Sequence, residues 1–408
     1  MYLTEATLLF AALVTGLVLF HHRIRTSEHW LATVTPLASI IGSGFLVAAP
    51  LLALAVGAAA PIAMLVIVIV AYGIGEMIRF NIRHVEPILA QVPDGHQAIR
   101  KIEQMASFAL SAAYVISVAF YLRLLASFVL APSGTNDPVL ANLLTTALLL
   151  FIGVAGATRG LRALEKLEEY SVTVKLAIIA ALLAGLAVFD LHSYAETIHQ
   201  TWPEIEASTF EQIRLLAGML LIVQGFETSR YLGAEYDRET RVRTMRSAQI
   251  TSGVIYVVFV LLAIPILTQS QNASPDETAI IELTRIVSPL LPTLLVIAAA
   301  MSQFSAAIAD TAGAGGLIEE SSNGRVRARW GYLVISAFAI LLVWTANIFE
   351  IISIASRAFA FYYLLQGINA FIAVGYAAEP GQRVWRRVFF GALITLLAFV
   401  VIFGRAAE

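Results

Sequence analysis

Apolar residues fill this chain in long runs, separated by short clusters of charged, proline and glycine residues. The runs do not alternate as half-buried strands do, and most are apolar on every helical face. Uninterrupted runs of about 20 such residues are long enough to cross a bilayer as helices. They fall near residues 5–21, 31–56, 61–80, 104–131, 139–157, 170–190, 213–233, 249–269, 283–312, 331–346, 349–376 and 385–404, which predicts about twelve transmembrane helices.

The first run is short and stands in "MYLTEATLLFAALVTGLVLFHHRIR", with Glu5 before it and His21, His22, Arg23 and Arg25 after it. A secretory signal has the opposite charge order. The expectation is a retained helix, either spanning or lying at the interface.

Composition sharpens the class. The chain is 59% hydrophobic and 13% charged, with a mean hydropathy of +0.81, which a soluble 408-residue domain does not sustain. It reads as an all-α, multi-pass integral membrane protein, in the inner membrane if the source is bacterial. A net charge of −2 offers no basic face for nucleic acid. The absence of cysteine removes disulfides, thiolate metal sites and cysteine nucleophiles.

Charge also orients the chain. Basic residues gather in alternate loops: Arg23/Arg25, Arg79/Arg83/Arg100/Lys101, Arg159/Arg162/Lys166, Arg238/Arg241/Arg243/Arg246, Arg325/Arg327/Arg329 and Arg383/Arg386/Arg387. The other side holds only Arg214, Arg285 and Arg405, near span ends. By the positive-inside rule the first set is cytoplasmic and both termini face outward. The acidic stretch "DLHSYAETIHQTWPEIEASTFEQ" then becomes an external loop. Arg123, Lys175, Arg230, Arg357, Glu227 and Asp310 fall within spans. Charges at that depth face the bundle interior, pair with one another or snorkel to the interface. A buried network among Arg123, Arg230, Arg357 and Asp310 is one reading.

Two spans carry interruptions. The second contains "IIGSGFLVAAP", with Gly42, Ser43 and Gly44 near its middle; the seventh contains "LLAGMLLIVQGFETSRYLGAEYD", with Gln224, Gly225 and Glu227 near its middle. With the first helix set aside, these open two successive five-helix halves, residues 31–190 and 213–376. Interrupted spans at equivalent places of two halves point to a substrate site in an inverted-repeat carrier. The freed backbone groups survive at membrane depth only where they line a protein-enclosed cavity. A resumed half-helix offers N–H groups to a carboxylate, and freed carbonyls suit an ammonium. Small residues also mediate close helix packing, so "GSG" alone is a weak signal.

These residues resemble the amino acid–polyamine–organocation (APC) transporter superfamily, whose members share the inverted-repeat fold of the bacterial leucine transporter. The family's glycine-serine-glycine break is similar to Ile41-Gly42-Ser43-Gly44-Phe45-Leu46-Val47. Its G-F-E segment is similar to "GFETSRYLGAEYDRETRVRTMRSAQ", though the family's proline is missing here. "LRALEKLEEYSVTVKLAIIAALLAG" places Lys175 where the fifth core helix typically has a lysine, and "MSQFSAAIADTAGAGGLIEESSNGR" is similar to the eighth core helix and its loop. The resemblance covers about residues 30–404.

The resemblance implies roles. Ser43 and Gly44 would bind a substrate carboxylate, with Gly42 and Gly225 shaping the breaks, and carbonyls near Ile40, Ile41 and Gln224 would bind its amine. Lys175 would stand where sodium-coupled relatives hold their second sodium ion and would carry a coupling proton, since burial favours the neutral amine. Glu227 would be a gating or coupling carboxylate. Ser302 and Ser305 would supply hydroxyls to a sodium or polar site, where a lysine ammonium competes with the ion. Two departures bear on cargo: Leu221 replaces the usual aromatic lid, and Gln224 replaces an apolar residue. The family's last helix is missing, residues 385–404 form the one helix after the core, and residues 5–21 add one before it.

The expectation is thus a carrier moving an amino acid or related small zwitterion or amine by alternating access, coupled to protons or working as an exchanger. The same fold with sodium coupling and another cargo, an osmolyte or nucleobase, remains open, as does a non-transporting receptor. No pair of histidines has metal-ligand spacing within a span, so neither an enzymatic centre nor a metal site is expected. Residues 41–47 offer a metal ion no Asp, Asn or Met. No cofactor is implied, and the oligomeric state is open.

Overall fold

A backbone inside hydrocarbon must satisfy its own hydrogen bonds, and a run without strand periodicity does so as helix. The computed structural model describes residues 2–42, 44–91, 96–131, 137–197, 207–233, 235–268, 279–322, 324–377 and 379–405, and every element among them is helical. The chain begins with α1 (Tyr2–Phe20), α2 (His22–Arg25), α3 (Glu28–Gly42), α4 (Phe45–Val56) and α5 (Ala60–Phe80). A π-helical turn, Asn81–Val85, leads into α6 (Glu86–Gln91), followed by α7 (Gln97–Leu130), α8 (Pro138–Arg159) and α9 (Arg162–Thr197). After α10 (Thr209–Gly218) come two 3-10 segments, Met219–Val223 and Phe226–Leu232. The remainder is α11 (Arg238–Thr268), α12 (Ala279–Thr284), α13 (Leu291–Ser321), α14 (Ala328–Thr345), α15 (Ile348–Ala377) and α16 (Pro380–Phe403).

Nine helical stretches among the described residues are long and apolar enough to cross a membrane, and Thr4–Phe20 is a shorter apolar helix. The apolar runs fall largely on helix. Helices α7, α9 and α11 begin at Gln97, Arg162 and Arg238, well before the expected starts, and α13 runs on to Ser321. Three further differences concern breaks and loops. The seventh run is α-helical only to Gly218 and then 3-10 on both sides of its break. The ninth is divided: α12 ends at Thr284 and α13 begins at Leu291, with Pro292 in its first turn, where a missing N–H costs nothing. The external loop expected after residue 189 starts later, because α9 continues to Thr197.

The central helix is α7, which packs chiefly on α13 and α15 and has the most buried span. Helix α11 lies against α3 and α5, α8 against α14, α16 against α15, and α1 against α9. The periphery is apolar: Leu9, Phe10, Leu13 and Leu17 of α1 and Val384, Trp385, Val388 and Ile402 of α16 are exposed. So large an uncovered apolar face fits lipid as the solvent. Outside the spans, Asp237 caps α11 by accepting from the Thr240 amide at 2.6 Å, and that bond holds its carboxyl below the usual carboxylate range.

Candidate substrate site at two helix breaks

Helix α3 stops at Gly42 and α4 resumes at Phe45; Ser43 between them lies outside the described residues. The Gly44 carbonyl accepts the first bond of α4, from Ala48 at 3.1 Å. Gly44 has φ 172°, ordinary extended backbone. At Gly42 the constraint is space, since a Cβ there would stand 3.0 Å from Ala306 Cβ of α13.

The second break is Gln224-Gly225, between the two 3-10 segments. Gly225 has φ +115°, a conformation that strains any side-chain-bearing residue. A Cβ there would also collide with Ser39 Oγ and lie 2.8 Å from Ile40 N. The two breaks are therefore in direct backbone contact.

Tyr256 of α11 ties them together. Its buried hydroxyl stands 2.9 Å from the Ile40 carbonyl and 2.8 Å from the Ile222 carbonyl, one from each interrupted span. Carbonyls released by the breaks are thus met here by a side chain of the protein itself, as membrane depth requires.

Lys175 of α9 is buried, and its Nζ donates to the Ala38 carbonyl at 3.0 Å and to Ser302 Oγ at 3.2 Å. Ser302 in turn stands 3.5 Å from the Ile41 carbonyl. The ammonium thus joins α3 to α9 and α13 beside the first break. Ile41, Phe45, Lys175, Ile179, Ser302 and Gln303 line a small, partly open pocket there. Ser305 Oγ is buried without a hydrogen-bond partner.

The second break carries polar side chains inward. Glu227 Oε2 accepts from the Tyr363 hydroxyl of α15 at 2.6 Å and from the Gly225 amide at 3.0 Å, while its Oε1 is buried without a partner. Gln224 Nε2 donates to the Tyr121 hydroxyl of α7 at 3.0 Å, and its Oε1 is likewise unpartnered. Phe226 stacks on Tyr363 with ring centroids 5.2 Å apart. Two unmet acceptors at one break are suited to a ligand that donates hydrogen bonds. The side chain of Leu221 lies outside the described residues, so its place as a lid is untouched by this geometry.

The other charges expected within spans differ in depth: Arg230 and Asp310 are buried, Arg123 partly buried and Arg357 exposed. Arg123 donates to Asn142 Oδ1 and Ser127 Oγ, Arg357 to the Gly404 carbonyl, and Arg230 to Glu103, while Asp310 accepts from Ser117.

A family model described as an APC superfamily transporter matches residues 22–404. The chain belongs to the APC superfamily of transporters. An uncharacterized protein of Aquifex aeolicus (strain VF5) is 46% identical over 381 residues, covering 93% of this chain and 91% of that one. Among solved structures, a mutant of the Eremococcus coleocola manganese transporter is similar with a TM-score of 0.58, covering 92% of this chain and 87% of that one. At 13% identity that likeness concerns fold alone.

For this APC transporter, sequence reasoning missed the tyrosines. Tyr256 stands in "GVIYVVFV" and Tyr363 in "FAFYYLLQG", where an aromatic in an apolar run reads as core. Their partners lie 34 to 216 residues away, and no local spacing announces them. Among the described residues, no group of three or more His, Cys, Asp or Glu stands ready to hold a metal ion.

Proposed function

We propose that this APC transporter is a secondary carrier of an amino acid or related small zwitterion or amine, with its cargo held between the two helix breaks. The observation that carries the reading is the contact of the two breaks through Gly225 and Tyr256, with unmet acceptors on Glu227 and Gln224 beside them. The amine end of the cargo meets those acceptors and the carbonyls near Ile40, Ile41 and Gln224. Its carboxylate meets the amides at the start of α4, around Ser43 and Gly44, where helix N–H groups lack intrahelical partners. Residues 31–190 and 213–376 are two inverted five-helix halves, residues 5–21 an added helix and residues 385–404 the last one. Rocking of one half against the other exposes the site to each face in turn.

The coupling ion is a proton carried on Lys175. Its ammonium stands between the Ala38 carbonyl and Ser302 Oγ, where the family resemblance implies the second sodium ion of sodium-coupled relatives. Loss of that proton removes the cation joining α3, α9 and α13 and so favours a different packing of those helices. Sodium coupling through Ser302 and Ser305 requires the ammonium to leave.

The competing reading is the same fold with sodium coupling and another cargo, an osmolyte or nucleobase. Manganese enters the test as a control, because the solved structure of similar fold is a manganese transporter. A thermal-shift panel of amino acids, diamines, osmolytes, nucleobases and manganese chloride on the purified protein separates them. A ligand binding only the folded state stabilises by about 2.7 kcal/mol at a hundredfold its dissociation constant. The expected hit is an amino acid or amine, and Gly44→Leu loses it. A shift with an osmolyte, a nucleobase or manganese alone contradicts the reading.

A further inference from the structure

The segment after the second break ends in an ion cluster of buried arginines and partly buried glutamates that substrate contact does not explain. Arg230, at the end of Phe226–Leu232, is buried and bonds Glu103 of α7 at 3.0 Å, with Glu86 of α6 at 3.7 Å. Arg230 also donates to Gln366 of α15. Arg241 of α11 grips Glu86 with both terminal nitrogens, at 2.7 and 3.1 Å, and donates to the Arg230 carbonyl at 2.7 Å. Gln366 and Asn369 of α15 donate to Glu103 at 3.2 and 3.0 Å, and Asn81 donates to Gln366 at 2.8 Å. Two arginines face two glutamates, so the cluster is neutral.

Its place matters. The Lys/Arg distribution puts the end of α5 and the starts of α7 and α11 on the cytoplasmic side. The cluster therefore binds the half-helix three residues beyond Glu227 to four other elements, between the site and the cytoplasm. Taking two arginines and two partly buried glutamates out of water adds little stability over a well-packed apolar plug. A polar plug differs in that its members are readily solvated when separated, so it can open and re-form.

We propose that Arg230, Glu103, Glu86 and Arg241 form the cytoplasmic lock of this carrier. While the cluster stands, the half-helix carrying Glu227 is pinned against α7 and α15 and the site is shut from inside; inward release requires its rupture. Arg230 is in this sense a positioning residue. The proposal rests on the carrier reading for its purpose, but its test needs no cargo, so the two can fail separately.

The chain has no cysteine, so a single introduced one reports access directly. Ser39→Cys places it at the break contact and Ser321→Cys on the exposed cytoplasmic end of α13. A membrane-impermeant thiol reagent is then applied to inside-out vesicles. With the lock intact, position 39 labels far more slowly than position 321. Adding Glu103→Gln, or Glu86→Gln should the first fail to fold, raises labelling at 39 from the cytoplasmic face about tenfold, equivalent to ~1.4 kcal/mol removed from the closed state. External labelling does not rise. Arg83→Gln, which breaks the exposed pair with Glu239 nearby, leaves the rate unchanged. Position 39 labelling as fast as 321 with the lock intact would overturn the proposal, as would folded Glu variants with an unaltered cytoplasmic rate.

Discussion

Gly225 carries two constraints at once, a positive φ and a contact too close for a Cβ. A left-handed non-glycine residue costs about 1–3 kcal/mol before any clash is counted. Gly225→Ala is accordingly expected to lower stability by at least ~2 kcal/mol and to abolish uptake, whereas Gly381→Ala, with open space around it, does neither. Thermal denaturation of the two variants in detergent, alongside uptake in vesicles, checks the contrast. Gly42 and Gly225 were legible as break candidates because the interruptions recur at equivalent places of two halves, whereas glycine alone also serves helix packing. The amide of Gln224 and the carboxylate of Glu227 were legible as functional candidates by depth alone, but not their partners, Tyr121 and Tyr363.

At the scale of elements, Tyr256 joins carbonyls of both interrupted spans through one hydroxyl. Tyr256→Phe keeps the ring, which packs edge-on against Phe45 with centroids 5.3 Å apart, and removes only the hydroxyl. The two carbonyls then lose the one proton they share, a cost of about 1–3 kcal/mol. The expected result is a lowered melting temperature and weaker ligand-induced stabilisation, read in the same thermal-shift assay. Unchanged ligand response would mean that the hydroxyl does not shape the site. Another junction lies at the end of α16. Its Gly404 carbonyl accepts from Arg357, the Arg405 amide donates to the Arg214 carbonyl of α10 at 3.1 Å, and a Cβ on Gly218 would strike the Arg405 carbonyl. Gly218→Val should therefore detach the chain end from α10, seen as faster proteolysis after Arg405 with the remaining bundle intact. Element bounds read from hydropathy fell short where helices run on into charged segments: α7 begins at Gln97, α9 at Arg162 and α11 at Arg238, about seven to eleven residues before the apolar runs. They failed too in the seventh and ninth runs, where the chain stays apolar while the helix changes type or restarts, because hydropathy reports burial in lipid and not hydrogen-bond register.

For the whole molecule, the all-helical, multi-pass class followed from apolar run length, since a bilayer permits few alternatives to helix. Orientation rests on the alternation of basic loops. A small epitope tag fused before Met1 or after Glu408 is expected to be reached by antibody from outside intact cells, whereas one inserted at Gly324, in the basic turn between α13 and α14, is reached only after permeabilisation. The long-range ion cluster around Arg230 was illegible, since Glu86 and Glu103 lie in a loop and a helix start that sequence alone leaves unplaced. The central claim is a carrier whose driving proton sits on Lys175, and reconstituted vesicles test it most directly. An inwardly directed proton gradient should drive accumulation of the cargo identified by thermal shift. Lys175→Ala should lose that accumulation and its pH dependence while retaining exchange of cargo at equal pH. Acid-driven accumulation that survives in Lys175→Ala would contradict that claim.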